Sequence, residues 1–409
     1  MVKAASTALP SSPSRPVHLR QSNARSVLRL IQEHSPCSKA DLVRYSGLSA
    51  PTISSCVAAL KEFNLVQSIG DGQSSGGRPP GLLRFNSGHG YVAGVDIGGT
   101  RVRMMLADLA GAVVTDWSHV LSDRQKTPAG MCSQIDIGLK AMCQASGIPL
   151  ARVLHLTAGA PGITDVKAGV VLSAPNLSNW DDVPLRSMLE AKLGIPALVE
   201  NETNLAAVGE HLGGAARGVA NFVFVAIGTG VGAGIYVGGQ LYRGAFWGAG
   251  EVGYLGVSGQ PRGPMRLRAA GQLEGMIGGG GIEKRWRMAL SHGKKKPASE
   301  LLRLHATQIL DLAGEGDRDA RQVAAETAVL LADAIADIAL LLNPQIVVLG
   351  GGIGTHQELC RLTRLTIERH ELASSLVLRS SALGTQAQLR GAVFASLEAI
   401  QPMILPQQI

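Results

Sequence analysis

Apolar residues near the start of the chain recur at helical spacing in three short segments. The segments are residues 27–31, 42–43 and 53–60. Two later stretches, residues 65–68 and 81–85, are typical of strands, with a glycine-rich tip between them. Three helices followed by such a hairpin are typical of a winged helix-turn-helix. We therefore expect this module over residues 21–86, preceded by a flexible arm over residues 1–20.

Residues that favour helix ends support these boundaries. Ser38 and Asp41 have the spacing of a capping box at the start of the second helix, and Gly47 supplies the turn after it. Ser49 followed by Pro51 opens the third helix. The apolar face of that helix packs inward, so its polar residues face outward, where a recognition helix contacts base edges. The candidate DNA-contacting residues of this helix are Ser49, Thr52, Ser54 and Ser55.

The tip of the hairpin and the local charge indicate DNA as the partner. The tip ends in Gly76-Gly77-Arg78-Pro79-Pro80, where the prolines keep the backbone extended and let Arg78 enter a minor groove. The first 90 residues hold ten basic and four acidic residues, so they carry +6 of the chain's net charge of +7. A basic excess confined to one module suits phosphate binding. A protein-interaction module is the alternative, and the charge favours double-stranded operator DNA.

The rest of the chain, residues 91–409, contains three glycine turns, each directly after an apolar strand. The backbone N–H groups of such turns can hold a phosphate, and Asp96 is available for a metal ion or a water molecule. One glycine turn is often purely structural, but three predict a nucleotide cleft between two lobes. The candidate residues are Asp96, Gly98, Gly99, Thr100, Gly228, Thr229, Gly230 and Gly351.

Composition limits the class of protein. With 409 residues, 45% hydrophobic and 17% charged, the chain is globular and too long for one core. The five cysteines are scattered, which is typical of free thiols in a reducing cytoplasm. The uncharged stretch at 220–242 contains six glycines and predicts two strands rather than a membrane helix. We expect a cytoplasmic protein that does not bind membranes.

Four ordered motifs resemble those of the ROK family (repressors, open reading frames and kinases). They are Asp96-Ile-Gly-Gly-Thr100, Ser173-Ala-Pro-Asn-Leu-Ser-Asn-Trp180, Glu200-Asn-Glu-Thr-Asn204 leading to Gly209-Glu210, and Gly248-Ala-Gly-Glu-Val-Gly253. The Gly-Arg-Pro-Pro tip after a helix-turn-helix is similar to the repressor branch, which includes xylose-type repressors. The resemblance covers residues 20–400. It implies an α/β chain in which a two-lobed, actin-like sugar-kinase fold follows the winged helix-turn-helix.

The chain departs from the family at the catalytic base. ROK sugar kinases use an Asn-Asp pair, whose Asp deprotonates the sugar hydroxyl that attacks the γ-phosphate, and this chain has Asn201-Glu202 there. A general base must lie within hydrogen-bond reach of the proton that it removes. Glutamate has one more methylene group than aspartate, and moving the carboxylate by about 1 Å lowers the rate about 100-fold. We therefore expect no kinase activity. A bifunctional ATP-dependent sugar kinase remains the alternative because the glycine turns are retained, and binding of ATP and magnesium stays open.

The family's zinc motif is also altered. ROK proteins usually carry a His and three Cys that bind a structural zinc, but here Tyr254 replaces the His and Gln272 stands where the last Cys would be. Tyrosine and glutamine are not ligands of such a site. We therefore expect no structural zinc and no resident cofactor.

The family's sugar-contacting positions are better matched, although Tyr254 replaces the usual His. Carboxylates and amides suit a polyol, because each hydroxyl both donates and accepts hydrogen bonds. The candidate sugar-binding residues by resemblance are Asn176, Asn201, Glu202, Glu251, Tyr254 and Glu274.

These expectations combine into one regulatory hypothesis. A sugar or sugar phosphate in the cleft of a homodimer or homotetramer changes the affinity of the winged helices for an operator. Release of DNA is the usual sense in the family, and the sequence leaves the sign open. Glu202 also occurs in xylose-type repressors, which makes a pentose the first guess. A scaffold that binds neither sugar nor DNA is the third alternative, and it leaves the basic module unexplained.

Overall fold

The computed structural model describes residues 16–71, 81–174, 177, 179–261, 265–266, 269–291, 298–370 and 376–405. The chain forms two compact units. The first comprises Met1–Gly90, Asp108–Ala112 and Ala399–Ile409, and the second comprises Tyr91–Ala107 and Val113–Glu398. The second unit begins at Tyr91, directly after Gly90. The turn at 108–112 and the C-terminal residues belong with the first unit because of long-range contacts, which no local pattern marks.

The N-terminal part of the first unit is a winged helix-turn-helix. Its helices are α1 (Pro16–His34), α2 (Lys39–Ser46) and α3 (Ala50–Glu62), and its strands are β1 (Cys37–Ser38), β2 (Val66–Asp71) and β3 (Gly81–Phe85). The strands form a sheet in the order β1-β3-β2, and both pairings are antiparallel. Helix α1 begins at Pro16, so residues 16–20 are helical rather than part of the expected arm. Strand β2 begins at Val66, one residue later than predicted, and β1 is a strand that the sequence pattern did not reveal.

The predicted helix ends are confirmed by their hydrogen bonds. Ser38 Oγ accepts from the N–H of Asp41 at 3.2 Å, and Asp41 Oδ2 accepts from the N–H of Ser38 at 2.8 Å, which closes the capping box. Gly47 ends α2 with a φ of +69°, a conformation that glycine adopts without steric cost. The buried face of α3 consists of Ile53, Cys56, Val57 and Leu60.

The second unit contains two five-stranded sheets, and the first has the order β10-β7-β4-β5-β6. Strands β10, β7 and β4 are parallel, whereas β5 and β6 pair antiparallel. A two-stranded antiparallel ribbon, β8-β9, lies beside this sheet. The elements are β4 (Tyr91–Ile97), β5 (Arg101–Asp108), β6 (Val113–Val120), α4 (Pro128–Ser146), β7 (Val153–Ala160), β8 (Ile163–Asp165), β9 (Val170–Ser173), α5 (Leu185–Leu193), β10 (Ala197–Asn201) and α6 (Glu202–Gly213).

The second sheet has the order β13-β12-β11-β14-β15. Its first three strands are antiparallel, and β11, β14 and β15 are parallel. The stretch at 220–242 forms strands rather than a membrane helix, and it contains three of them, one more than the two that were predicted. The elements are β11 (Phe222–Ile227), β12 (Val231–Val237), β13 (Gln240–Tyr242), α7 (Glu274–Ile277), α8 (Gly279–Ser291), α9 (Ala306–Glu315), α10 (Arg318–Leu342), β14 (Ile346–Gly350), α11 (Gly351–Gly354), α12 (Gln357–Ile367), β15 (Val377–Ser380) and α13 (Ala387–Ile400).

Helix α6 contacts both sheets, and this position sets the functional geometry. A Cβ atom at Gly159 on β7 would lie 2.9 Å from Leu205 Cδ1, and one at Gly234 on β12 would lie 2.5 Å from Ala207 Cβ. Glycine is therefore needed at Gly234 for the helix to approach β12 so closely, whereas a side chain at Gly159 would displace only the end of Leu205. The first residue of α6, Glu202, consequently lies where the two lobes meet. None of the helices in the described ranges is long and apolar enough to cross a membrane.

Candidate functional site

The N-terminal end of α3 carries the polar residues that the sequence assigns to DNA contact. Ser49 caps the helix, because its Oγ accepts from the N–H of Thr52 at 3.3 Å and lies 2.8 Å from Thr52 Oγ1. Ser54 is half-buried, and Ser55 is exposed. Two of the four hydroxyls therefore hold the helix start, and Ser55 is exposed without a role in capping the helix.

Sequence reasoning missed a basic residue beside this surface. Lys39, the first residue of α2, is exposed and its Nζ donates to Ser54 Oγ at 3.4 Å. A lysine directly after the capping residue of α2 is the signal that could have identified it. Lys39 adds a cation next to the polar end of α3, where a phosphate would be attracted. Arg78 lies outside the described residues.

The cleft of the second unit begins where β10 ends and α6 starts. Asn201 Oδ1 accepts from the N–H groups of Thr203 and Asn204 at 2.8 and 3.0 Å, so its side chain caps α6. Its Nδ2 donates to the carbonyl of Gly162 at 2.7 Å. Asn201 therefore fixes the start of α6 against the segment that follows β7, and it orients Glu202 in the first turn.

Glu202 lies among other carboxyl groups. Burial raises its pKa from an ordinary value of 4.5 to about 8, and the carboxylates of Asp96 and Glu251 add to the shift while Arg103 opposes it. Burial also raises the pKa of Glu251 to about 7, with a further contribution from Glu274. The surroundings of Glu202 therefore favour the protonated form of its carboxyl group. A protonated carboxyl group both donates and accepts hydrogen bonds, as a sugar hydroxyl does.

Glu274 and Tyr254 complete this group on the side of the second sheet. Glu274 Oε2 accepts from the N–H of Val231, the first residue of β12, at 3.0 Å. Burial raises the pKa of the Tyr254 phenol, and the carboxylates of Glu251 and Glu274 raise it further. The structure thus groups four of the six predicted sugar-binding residues, Glu202, Glu251, Tyr254 and Glu274, and Asn201 adjoins them. Asn176 lies outside the described residues.

Asp96 is held by an arginine that the sequence did not single out. Arg103 donates from Nε and Nη2 to Asp96 Oδ2 at 2.8 and 2.5 Å. The same guanidinium donates to the carbonyl of Thr385 at 2.7 Å and to Gln388 Oε1 at 2.9 Å. Burial raises the pKa of Asp96, and Arg103 opposes that effect. The partner of Asp96 is thus a cation from the neighbouring strand.

Two further buried glutamates, Glu200 and Glu210, bind segments that are distant in sequence, and sequence reasoning did not assign them this role. Glu200 is 2% exposed, and its Oε2 accepts from Arg243 Nε at 2.7 Å. Glu210 is fully buried and accepts from the N–H groups of Ala215 and Leu383 at 2.6 and 3.0 Å. Both belong to the motif that runs from Glu200 to Glu210, and this motif is the sequence feature that could have identified them. Their partners lie up to 173 residues away in sequence, where no local pattern points.

The three glycine turns follow strands as predicted. The N–H of Gly98 donates to the carbonyl of Arg101 at 3.0 Å, with Gly99 and Thr100 at the tip between β4 and β5. Gly228, Thr229 and Gly230 join β11 to β12, and Gly351 follows β14, the parallel neighbour of β11. A Cβ at Gly228 would meet open space. The second and third turns therefore lie on adjacent strands, a geometry that fits the approach of a phosphate.

The segment that carries zinc in the family is held differently here. Residues 251–274 contain neither Cys nor His. Gln272 Oε1 instead accepts from the N–H of Val257, and its Nε2 donates to Gln260 Oε1, both at 3.3 Å. The donors present therefore do not fit a structural zinc, which needs thiolate or imidazole ligands. Within the described ranges, no group of three or more His, Cys, Asp or Glu is arranged to hold a metal ion.

Comparisons with known proteins agree with this architecture. Residues 92–398 match the model of the ROK family. A xylose repressor of Bacillus spizizenii is 35% identical over 239 residues, which are 58% of this chain and 61% of that protein. The match thus covers about three fifths of the repressor's length.

Solved structures extend the fold to the N-terminal unit. A ROK family transcriptional regulator, described as a homologue of the E. coli MLC protein, superposes with a TM-score of 0.76 at 24% identity. It covers 95% of this chain and 99% of that one. A ROK family glucokinase from Streptomyces griseus, in complex with glucose and AMPPNP, has a TM-score of 0.65 at 26% identity, and covers 76% of this chain and 100% of that one. The chain therefore belongs to the ROK family, and its two-lobed sugar-kinase fold follows a winged helix-turn-helix.

Proposed function

We propose that this protein is a sugar-responsive transcriptional repressor of carbohydrate-utilisation genes. The winged helix-turn-helix binds double-stranded operator DNA, and the cleft of the second unit binds a small sugar. The observation that carries the proposal is the pairing, in one chain, of a basic DNA-binding module with a cleft of buried carboxyl groups. The 35% identity to a xylose repressor supports it.

The ligand proposed for the cleft is an uncharged sugar. Glu202, Glu251 and Glu274 present carboxyl groups, and Arg103 already donates four hydrogen bonds to protein acceptors. A phosphate group would therefore meet carboxyl groups, which offer it no positive charge, and an arginine whose donors are already engaged. A hydroxyl-rich molecule needs donors and acceptors rather than a counter-charge. Of the two ligand classes that the sequence allows, this favours the free sugar over the sugar phosphate.

The proposed coupling is release of DNA by the sugar. A ligand shifts an equilibrium only when its affinity differs between the two states, so the sugar must bind the DNA-free state more tightly. A homodimer or homotetramer would present two winged helices to a pseudo-palindromic operator. In this proposal the protein works without structural zinc, and Gln272 takes over the local role of a metal ligand by bridging Val257 and Gln260.

A bifunctional ATP-dependent sugar kinase is the second candidate. The glycine turns and the similarity to a glucokinase solved with glucose and AMPPNP favour it. Against it, Glu202 replaces the catalytic Asp, and its longer side chain moves the carboxyl group away from the position that the base of the family's kinases occupies. Asp96, which could otherwise face a metal ion, is paired with Arg103.

Calorimetry of the full chain separates the two candidates. The chain is titrated with D-xylose, D-glucose, L-arabinose and their phosphates, with and without MgATP, and ADP release is followed by a coupled assay. The repressor proposal expects binding of a free sugar without nucleotide and no ADP above background. Sugar-dependent ADP release would establish the kinase instead, and the absence of binding by any of these sugars would refute the proposed receptor.

A further inference from the structure

An aromatic loop lies directly before Glu251. Aromatic residues make up only 4% of the chain, yet Tyr242, Phe246 and Trp247 fall within six consecutive positions. Phe246 is 87% exposed and Tyr242 is 53% exposed. Trp247 is half-buried, and the large exposed ring of Phe246 is a candidate binding surface. Residues 243–250, which form this loop, are therefore a candidate ligand-binding segment.

The first end of the loop is fixed to the cleft. Arg243 Nε donates to Glu200 Oε2 at 2.7 Å, and Glu200 is buried next to Asn201. Glu200 Oε1 accepts from Asn204 Nδ2 at 3.0 Å, so the same carboxylate also holds the first turn of α6. The start of the loop is thus attached to the residues that orient Glu202.

The second end of the loop is fixed to the opposite wall. The N–H of Ala233, on β12, donates to the carbonyl of Gly250 at 2.7 Å, and Glu251 follows immediately. Between these anchors, the N–H of Ala249 donates to the carbonyl of Arg243 at 3.2 Å and closes the loop on itself. The tip that carries Phe246 therefore projects from a base that is attached to both walls of the cleft.

The tip holds a backbone conformation that its residue type disfavours. Trp247 has a φ of +64°, and positive φ is unusual for a bulky side chain. Gly244 and Gly250 flank it with φ values of +74° and +93°. Such strain persists where the surroundings impose it, and it is concentrated at ligand clamps and switch segments. Gly250 is anchored to Ala233, so Gly244 and the strained Trp247 are the positions at which the tip can change conformation.

We propose that the tip of this loop, Phe246 with Trp247, covers a sugar bound at Glu251 and stacks an aromatic ring on the apolar face of the sugar ring. The inference rests on the proposed function and defines its ligand class. The edge of a cyclic sugar carries hydroxyl groups, which can hydrogen-bond with the carboxyl and amide groups of the cleft. One face of a pyranose carries C–H groups, which an aromatic ring covers. The ligand is therefore a cyclic aldose, and an open-chain alditol has no such face to offer.

Binding to three variants tests the loop. D-Xylose and D-glucose are titrated into the full chain by calorimetry, and xylitol and sorbitol are titrated as their open-chain counterparts. Phe246→Ala should raise the Kd for the bound aldose about tenfold, while Phe246→Tyr, which keeps the ring, should restore most of the affinity. Leu341→Ala is the matched control, because Leu341 is 81% exposed on α10 and its removal should leave the Kd unchanged.

Tryptophan emission gives an independent readout. The chain has four tryptophans, and Trp180 and Trp286 are each only 1% exposed. Closure of the loop should shift the emission of Trp247 to shorter wavelength when the aldose is added. The shift should disappear in Trp247→Phe, and thermal melting of each variant establishes that it is folded.

The outcomes distinguish a failure of the loop assignment from a failure of the proposed sugar-receptor function. Tight aldose binding with an unchanged Kd in Phe246→Ala would overturn the loop assignment and leave the proposed function standing. Equal affinity for xylitol and D-xylose would overturn the cyclic-ligand assignment. An unchanged Kd with a lower molar mass of Phe246→Ala by light scattering would make the tip a contact between copies. If no aldose binds the wild-type chain, the proposed function and the loop assignment both fail.

Discussion

The polar end of α3 and the carboxyl cleft of the second unit differ in how far their polar groups are exposed to water. On this surface, the exposed Ser55 of α3 and the exposed Lys39 of α2 keep a hydroxyl group and a positive charge in contact with water. In the cleft, burial raises the pKa of Glu202 to about 8 and that of Glu251 to about 7. The first surface suits a polyanion, and the second suits a neutral ligand rich in hydroxyl groups. Because the two ligands cannot share a site, any effect of one on the other has to be allosteric.

The largest expected effect follows from removing the central carboxyl group of the cleft. Glu251→Ala leaves sugar hydroxyls without a partner in a buried site, so the Kd for the sugar should rise about 100-fold. Affinity for DNA without sugar should stay at the wild-type value. Calorimetry and gel shifts measure the two quantities, and Glu300→Ala, an exposed glutamate, is the control. Unchanged sugar affinity would exclude Glu251 from the site.

The next effect concerns the DNA side alone. Arg78→Ala removes the arginine that the sequence places at the wing tip, and operator affinity should fall about tenfold. Sugar affinity should not change. Fluorescence anisotropy with a labelled duplex measures the loss, with Arg303→Ala, an exposed arginine of the second unit, as the control. Equal affinity of Arg78→Ala and wild type would remove the wing from DNA recognition.

The pH dependence of stability sharpens the electrostatic contrast. The pKa of Glu202 is about 8 in the folded chain and near 4.5 when exposed, so the folded state binds more protons between these values. Stability should therefore fall as the pH rises from about 5 to about 8. Glu202→Gln cannot ionise and should flatten this fall. Thermal melting from pH 5 to pH 9 measures both proteins, and an identical slope would mean that Glu202 is not desolvated.

The smallest effect is a local one in the first unit. Ser38→Ala removes the side chain that caps α2 and should lower the free energy of unfolding by about 1 kcal/mol. Chemical denaturation measures this change. Ser55→Ala is the matched control, because Ser55 is exposed in the interior of α3 and caps no helix. A loss no greater than that of Ser55→Ala would show that the capping box contributes little.

The winged helix-turn-helix could be predicted in detail because its signals are local. Ser38, Gly47 and Ser49 each act within four residues of their own position, and the structure confirms all three ends. Strand β1 was missed because its two residues gain strand geometry only from β3, whose paired residues Leu82 and Leu83 lie about 45 positions away. A pattern that spans two residues cannot distinguish a strand from a loop.

The cleft could be predicted only in part. The glycine turns and the carboxyl groups were recognisable, since each belongs to a short motif. The arginines that bind in this region were not recognisable from the sequence, because their partners are distant. Arg243 pairs with Glu200, 43 residues away, and Arg103 donates to Gln388, 285 residues away. The role of Gln272 was equally hidden, since its partners become neighbours only when the chain folds back. Long-range partners depend on the packing of α6 and the two sheets rather than on sequence spacing.

The most direct test of the central claim is the affinity of the full chain for its operator with and without sugar. An operator is selected from random duplexes by the purified chain, and its Kd is measured by anisotropy in the presence and absence of the sugar found by calorimetry. We predict that saturating sugar raises the Kd for DNA at least tenfold in the wild type and has no effect in Glu251→Ala. An operator affinity that stays constant at every sugar concentration in the wild type would contradict the coupling between the two units.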